Sequence, residues 1–134
     1  GSKTERLIVQ ASDSSKLFKN SNEVVDFVKG GNRLVDKYSD LRKVTKGTGL
    51  EAHHLIEKRF AARLGIKEND ILSVALTKEQ HQVFTDLWRK QVAYGTDYSQ
   101  MTKEEILQRA QEVYKDHPEL SKIVTEWFKK VVKK

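Results

Sequence analysis

Ile71-Leu72-Ser73-Val74-Ala75-Leu76 is a β-prone apolar run in a chain whose other apolar residues mostly recur at helical spacing. It stops at Thr77, a helix cap with Gln80 three residues on. A strand that feeds directly into a helix requires a partner strand, and the remaining segments require helices around it. The expected class is therefore α+β and mostly helical, with a short β-hairpin plus helix surrounded by helices. The first strand of that hairpin is expected in Leu50-Glu51-Ala52-His53-His54-Leu55-Ile56, directly after the break Lys46-Gly47-Thr48-Gly49. A length of 134 residues supports one domain. Within 1–134 we expect an N-terminal helical region over 3–47, the hairpin and helix over 48–90, and C-terminal helices over 100–134.

The flanking segments follow the same logic. Leu7-Ile8-Val9 reads as a short strand and Ser12-Asp13-Ser14-Ser15 as a turn. Asn20, with Glu23 three positions on, caps a helix carrying Val24, Val25, Phe27 and Val28, which Gly30-Gly31 ends. Leu34, Val35, Tyr38 and Leu41 predict a second helix over 33–44. Residues 57–64 have helical spacing up to Gly65, and 67–70 form a polar turn. Thr102 and Glu105 make a capping box ahead of Ile106, Leu107, Ala110, Val113 and Tyr114. Asp116-His117-Pro118 breaks that helix, Pro118 suits the first turn of the next, and His117 reads as a cap or an exposed residue. Trp88, Trp127 and Phe128 fall within apolar helical faces and are assigned to the core.

Composition narrows the chemistry. The absence of Cys excludes disulfides, thiolate-held zinc and thiol catalysis. Lys and Arg number 25 against 19 acids, a net charge of +6, which favours a polyanionic partner. No apolar run approaches the ~18 residues needed to span a bilayer, and no signal peptide is visible. Gly1-Ser2 reads as a cloning remnant, so the chain is expected to be part of a longer protein.

Only four His are present, at 53, 54, 81 and 117. Neighbouring side chains of a strand point to opposite faces, so His53 and His54 cannot easily do one job. One can bind a metal while the other faces a substrate. That division suits metal-assisted hydrolysis of a phosphodiester, in which a neutral His, with a reference pKa near ~6.5, activates water. His81, in the first turn of the helix after the second strand, can reach across the hairpin.

Glu51-Ala52-His53-His54, the strand Ser73-Val74-Ala75-Leu76 and His81 resemble the HNH, or endonuclease VII-like, nuclease superfamily. Within it they resemble bacterial polymorphic toxin domains of contact-dependent inhibition and Rhs type with an Ala-His-His signature; the nuclease colicins share the layout. The resemblance covers roughly residues 48–90. It implies a ββα-metal core, His54 as general base, and His53 and His81 as ligands of one divalent ion. It implies that Glu51 orients His54 or contacts a phosphate-bound Arg. Asn69, counted with His53 and His81 at the metal site, is the nearest match to the asparagine that ties the site's loop down and orients the base, although its spacing to His81 is a few residues long. Thr85 stands where colicin-like members have a further His, so waters or phosphate oxygens would complete the shell, compatible with Mg²⁺ or Zn²⁺.

Arg59 and Arg63, four apart on one face beside Lys58, are candidate phosphate clamps. The resemblance implies a metal-dependent endonuclease acting on DNA. RNA, including tRNA, is the alternative substrate. The implied setting is the C-terminal toxin of a secreted or contact-delivered effector, with a carrier protein ahead of it and a cognate immunity protein, acting in the target cell's cytoplasm. The alternative from another class is a basic nucleic-acid-binding module without catalysis. A structural zinc in such a module would call for four protein ligands, which three His and no Cys do not favour.

Overall fold

A computed structural model describes residues 7–12 and 14–133. Gly1-Ser2 and the centre of the expected turn at Asp13 lie outside the described residues. The elements run β1 (Ile8–Gln10), α1 (Ser21–Lys29), β2 (Arg33–Lys37), α2 (Tyr38–Thr45), β3 (Glu51–His54), α3 (Ala61–Leu64), β4 (Leu72–Leu76), α4 (Lys78–Gln91), α5 (Lys103–Val113) and α6 (Pro118–Val131). The class is α+β and mostly helical, as expected. No helix among the described residues is long and apolar enough to cross a membrane.

The expected hairpin is present as β3 against β4, antiparallel, with Glu51 opposite Leu76 and His54 opposite Ser73. It belongs to a larger sheet of order β1-β2-β4-β3, in which β1 and β2 are parallel and β2 and β4 antiparallel. The N-terminal region is thus not purely helical, because it supplies two strands to this sheet. The correction falls at residues 33–44, where β2 and α2 replace one helix. Leu34, Tyr38 and Leu41 do repeat at helical spacing. In β2, however, Leu34 and Val35 are both fully buried on opposite faces, a pattern for a strand covered on both sides. Pairing with β1 and β4 overrides the local periodicity. Asp36, also buried, accepts the backbone N–H of Ser14 at 2.9 Å and of Lys37 at 2.8 Å, so its carboxylate is satisfied.

The sheet has a core on each face. Val35, Val74 and Leu76 pack with Phe84, Trp88, Tyr114 and the apolar stripe of α6. Leu34, Ala75 and Ala52 pack with Val24, Val28 and Leu41 of α1 and α2. Trp88, Trp127 and Phe128 are buried as assigned. The helix boundaries follow the expected chemistry. Asn20 caps α1 through Glu23 N, capping boxes start α4 and α5, and Pro118 opens α6. Residues 57–64 fold as a 3₁₀ turn, Lys58–Phe60, followed by α3, which Gly65 ends in the left-handed conformation at φ 70°. His117 stands at the cap of α6 without a side-chain cap bond. Its Nδ1 instead accepts from Arg33 Nη2 at 3.3 Å and ties β2 to α6.

Candidate functional site

Because β3 is an edge strand, side chains on both of its faces open onto one cleft. Period two sends Glu51 and His53 toward the α4–α6 side and Ala52 and His54 toward the α1–α2 side. His81 is delivered from α4. Thr77 accepts the Gln80 N–H at 3.2 Å, Gln80 Oε1 accepts the Thr77 N–H at 3.0 Å, and His81 N bonds Thr77 O at 2.9 Å. This fixes the first turn of the helix over the strand. His81 Nδ1 there meets Glu51 Oε2, and both side chains stay about one-third exposed.

His53 is 3% exposed. Its ring stacks on Phe84 at 5.6 Å and meets the His81 ring edge-on at 5.0 Å. Its Nε2 lies 2.9 Å from the Tyr114 hydroxyl, which also contacts Leu55 O at 2.6 Å and Trp88 Nε1 at 3.4 Å. Burial, and then the charges of His81 and His54, hold its pKa well below the ordinary histidine value. The ring stays neutral.

His54 faces the other way and lies parallel on the Tyr38 ring, with centroids 3.9 Å apart. Arg42 Cζ sits 5.8 Å from the centre of that Tyr38 ring. His54 Nε2 is shielded from solvent and has no hydrogen-bond partner among the described residues. Burial lowers the His54 pKa to about 4. The nearby Glu68 charge and a main-chain bond at Glu68 oppose the shift, while Lys58 and His81 add to it.

One cavity of about 360 Å³ gathers these groups, with Tyr38, His53, His54, Lys58, His81 and Tyr94 in its wall. The structure thus brings His53, His54 and His81 together from elements nearly thirty residues apart, with Glu51 bound to His81. Glu51 does not orient His54, because strand alternation puts the two on opposite faces. Asn69 is exposed in the turn Glu68–Asp70 and is not in the cavity wall; that turn reaches His54 through Glu68 instead. The candidate clamps have other duties. Arg59 bonds Glu57 Oε1 at 2.8 Å and Val92 O at 2.6 Å, and lies 4.8 Å from the Phe60 ring centre. Arg63 Nη2 bonds Met101 O at 2.7 Å. Both pin the segment between α4 and α5. Thr85 does line the cavity, in the place of the further His.

Spacing places Tyr38 and Tyr114 on apolar helical faces and gives no sign of their contacts at the site. The available signal was the hydroxyl of Tyr114. A Tyr on a buried stripe needs a polar partner, and His53 is one of the few the chain offers. Among the described residues no three His, Asp or Glu side chains stand as a ready-made metal cage. No protein-family model, curated protein or solved structure matches the chain.

Proposed function

We propose that the chain is a metal-dependent endonuclease that hydrolyses phosphodiester bonds of DNA. The observation that carries this reading is the convergence of His53, His54 and His81 on one cavity at a sheet edge, with Glu51 bound to His81 and the His54 Nε2 left without a hydrogen-bond partner among the described residues. Buried polar atoms are ordinarily hydrogen-bonded, and a water or phosphate oxygen in the cavity would supply the partner this nitrogen calls for.

The residues present fit a divalent ion held in an open shell. Glu51 and His81 offer a carboxylate oxygen and an imidazole nitrogen at one half-exposed point. Two protein donors leave places for water and phosphate oxygens, which suits Mg²⁺ or Zn²⁺ at a catalytic rather than a structural site. Bound there, the ion supplies charge stabilisation for the phosphate and the leaving 3′ oxygen. The chain supplies the rest. His54 is neutral at pH 7 and presents the Nε2 lone pair as acceptor for a water proton. The negative phosphate works against the burial that depresses its basicity. Lys58 in the cavity wall puts positive charge beside it, and Arg42, 5.8 Å from the ring centre of the wall residue Tyr38, adds a second cation nearby; these two take the part that spacing assigns to Arg59 and Arg63. The Ala-His-His resemblance extends the proposal to the setting, a toxin domain carried by a secreted effector and opposed by an immunity protein.

The test is a cleavage assay on supercoiled plasmid and on total tRNA, with Mg²⁺, Mn²⁺, Zn²⁺ or EDTA, and with His54→Ala as control. Metal-dependent plasmid nicking that His54→Ala abolishes is expected. Cleavage of tRNA alone would keep the chemistry and change the substrate. If neither is cut with any metal, the proposal fails.

A further inference from the structure

We infer that Tyr114 is a positioning residue that holds His53 in the Nε2–H tautomer, so that Nδ1 is the nitrogen His53 has left to offer an electrophile. The functional half of this inference rests on the proposed nuclease reading; the tautomer itself does not.

The argument is a count of protons and lone pairs. A tyrosine hydroxyl has one proton to give and two lone pairs to accept with. Leu55 O can only accept, and it lies 2.6 Å from the Tyr114 oxygen. Two oxygens at that separation repel unless a proton lies between them, so the Tyr114 proton is committed to Leu55. Trp88 Nε1 can only donate, and it lies 3.4 Å from the same oxygen. What the hydroxyl retains for His53 Nε2, at 2.9 Å, is a lone pair. Nε2 must then carry a hydrogen. A ring 3% exposed and stacked on Phe84 is costly to charge, so it holds one proton, and Nδ1 carries none.

The consequence concerns the donor set. Glu51 and His81 meet directly, and the His53 ring stands 5.0 Å from that of His81 in the wall of the same cavity. With Nδ1 unprotonated, His53 would have a lone pair free to offer an ion held near that pair. The opposite tautomer would present an N–H to the ion and exclude it. Partners that fix a histidine's other nitrogen typically change metal affinity about 10- to 100-fold when removed. Tyr114 stands at the C-terminal cap of α5, so the helices after the ββα segment take part in the site.

Side-chain ¹⁵N–¹H correlation spectra of EDTA-treated protein at pH 7.5 test the tautomer, with His53→Gln used to assign the signal. The expected spectrum shows Nε2 protonated and Nδ1 not. A protonated Nδ1 would overturn the inference, and should Tyr114→Phe fail to fold, this wild-type spectrum decides alone. In folded Tyr114→Phe, the His53 signal should move toward a mixture of tautomers, and Mn²⁺ affinity by titration calorimetry should fall about 10- to 100-fold. An unchanged tautomer or unchanged Mn²⁺ affinity would each refute the positioning role. If the tautomer is as inferred but no nucleic acid is cut, the positioning stands and the nuclease reading falls.

Discussion

His54 lies flat on Tyr38, with ring planes 18° from parallel, on the face of the sheet opposite His53. A ring pressed on a ring has little freedom to rotate, so Tyr38 sets the direction in which the unpartnered His54 Nε2 points. This contact needs the aromatic face and not the hydroxyl. Aromatic pairs of this kind contribute about 0.5–1.5 kcal/mol, which translates to about a 2- to 10-fold effect. Tyr38→Leu should lower kcat on plasmid by about that factor with KM little changed, while Tyr38→Phe should restore it. A loss equal in both variants would show that the hydroxyl, and not the stack, matters.

The arginines separate scaffold from substrate contact. Arg59 is about 15% exposed and holds Glu57 and two carbonyls of the α4–α5 segment. Removing it leaves the poorly exposed Glu57 carboxylate unpaired, and charged hydrogen bonds are worth about 1.5–3 kcal/mol each. Arg59→Ala should therefore lower the urea midpoint clearly and leave affinity for a labelled duplex almost intact. Arg42→Gln and Lys58→Gln should do the reverse. Measured by anisotropy in the His54→Ala background, each should reduce the slope of log K against log salt by about one. If Arg59→Ala alone changes the slope, the assignment of the clamp to Arg42 and Lys58 is wrong.

Arg59 and Arg63 share a helical face by spacing, yet their partners come from distant segments that spacing does not reveal. The capping boxes at Thr77 and Thr102, the Pro118 start and the strand Leu72–Leu76 depend on residues within a few positions of one another, and they were legible. So was the division of His53 from His54, because strand alternation is local. β2 was not, because its strand character comes from pairing with β1 and β4, while Leu34-Tyr38-Leu41 alone satisfies a helix. Likewise Arg59 finds its carbonyl partners 33 and 34 residues away, and Tyr114 meets His53 across 61. Spacing identifies which residues share a face. It does not say which element will cross that face, and so it could not tell that His81 takes Glu51 before His54 can.

Two histidines held neutral by burial make stability depend on pH. The unfolded chain protonates them near the ordinary value of about 6.5; the folded chain resists until about 4 for His54 and well below the ordinary value for His53. The unfolded state thus binds more protons in that window, so stability rises with pH across it. Their contribution is complete above about pH 6.5 and is lost as pH falls toward 4. Urea midpoints in EDTA should fall steadily from pH 7 to 4.5, and His54→Gln should flatten the fall. An unchanged slope in the variant would mean that the His54 ring is not held neutral by burial.

Glu51 distinguishes a site from a scaffold. Its contact with His81 is the centre of the proposed ion site, yet both side chains are about one-third exposed. Half-exposed ion pairs contribute at most about 1 kcal/mol, because water competes for both partners. Glu51→Gln keeps the size and removes the charge. Its melting temperature in EDTA should therefore stay within a few degrees of the wild type. Added Mn²⁺, which should raise the wild-type melting temperature by binding the folded state, should raise that of Glu51→Gln much less. Cleavage should fall in parallel. A large drop in melting temperature without metal would make Glu51–His81 a structural tie, whereas full Mn²⁺ stabilisation of Glu51→Gln would move the ion away from this pair.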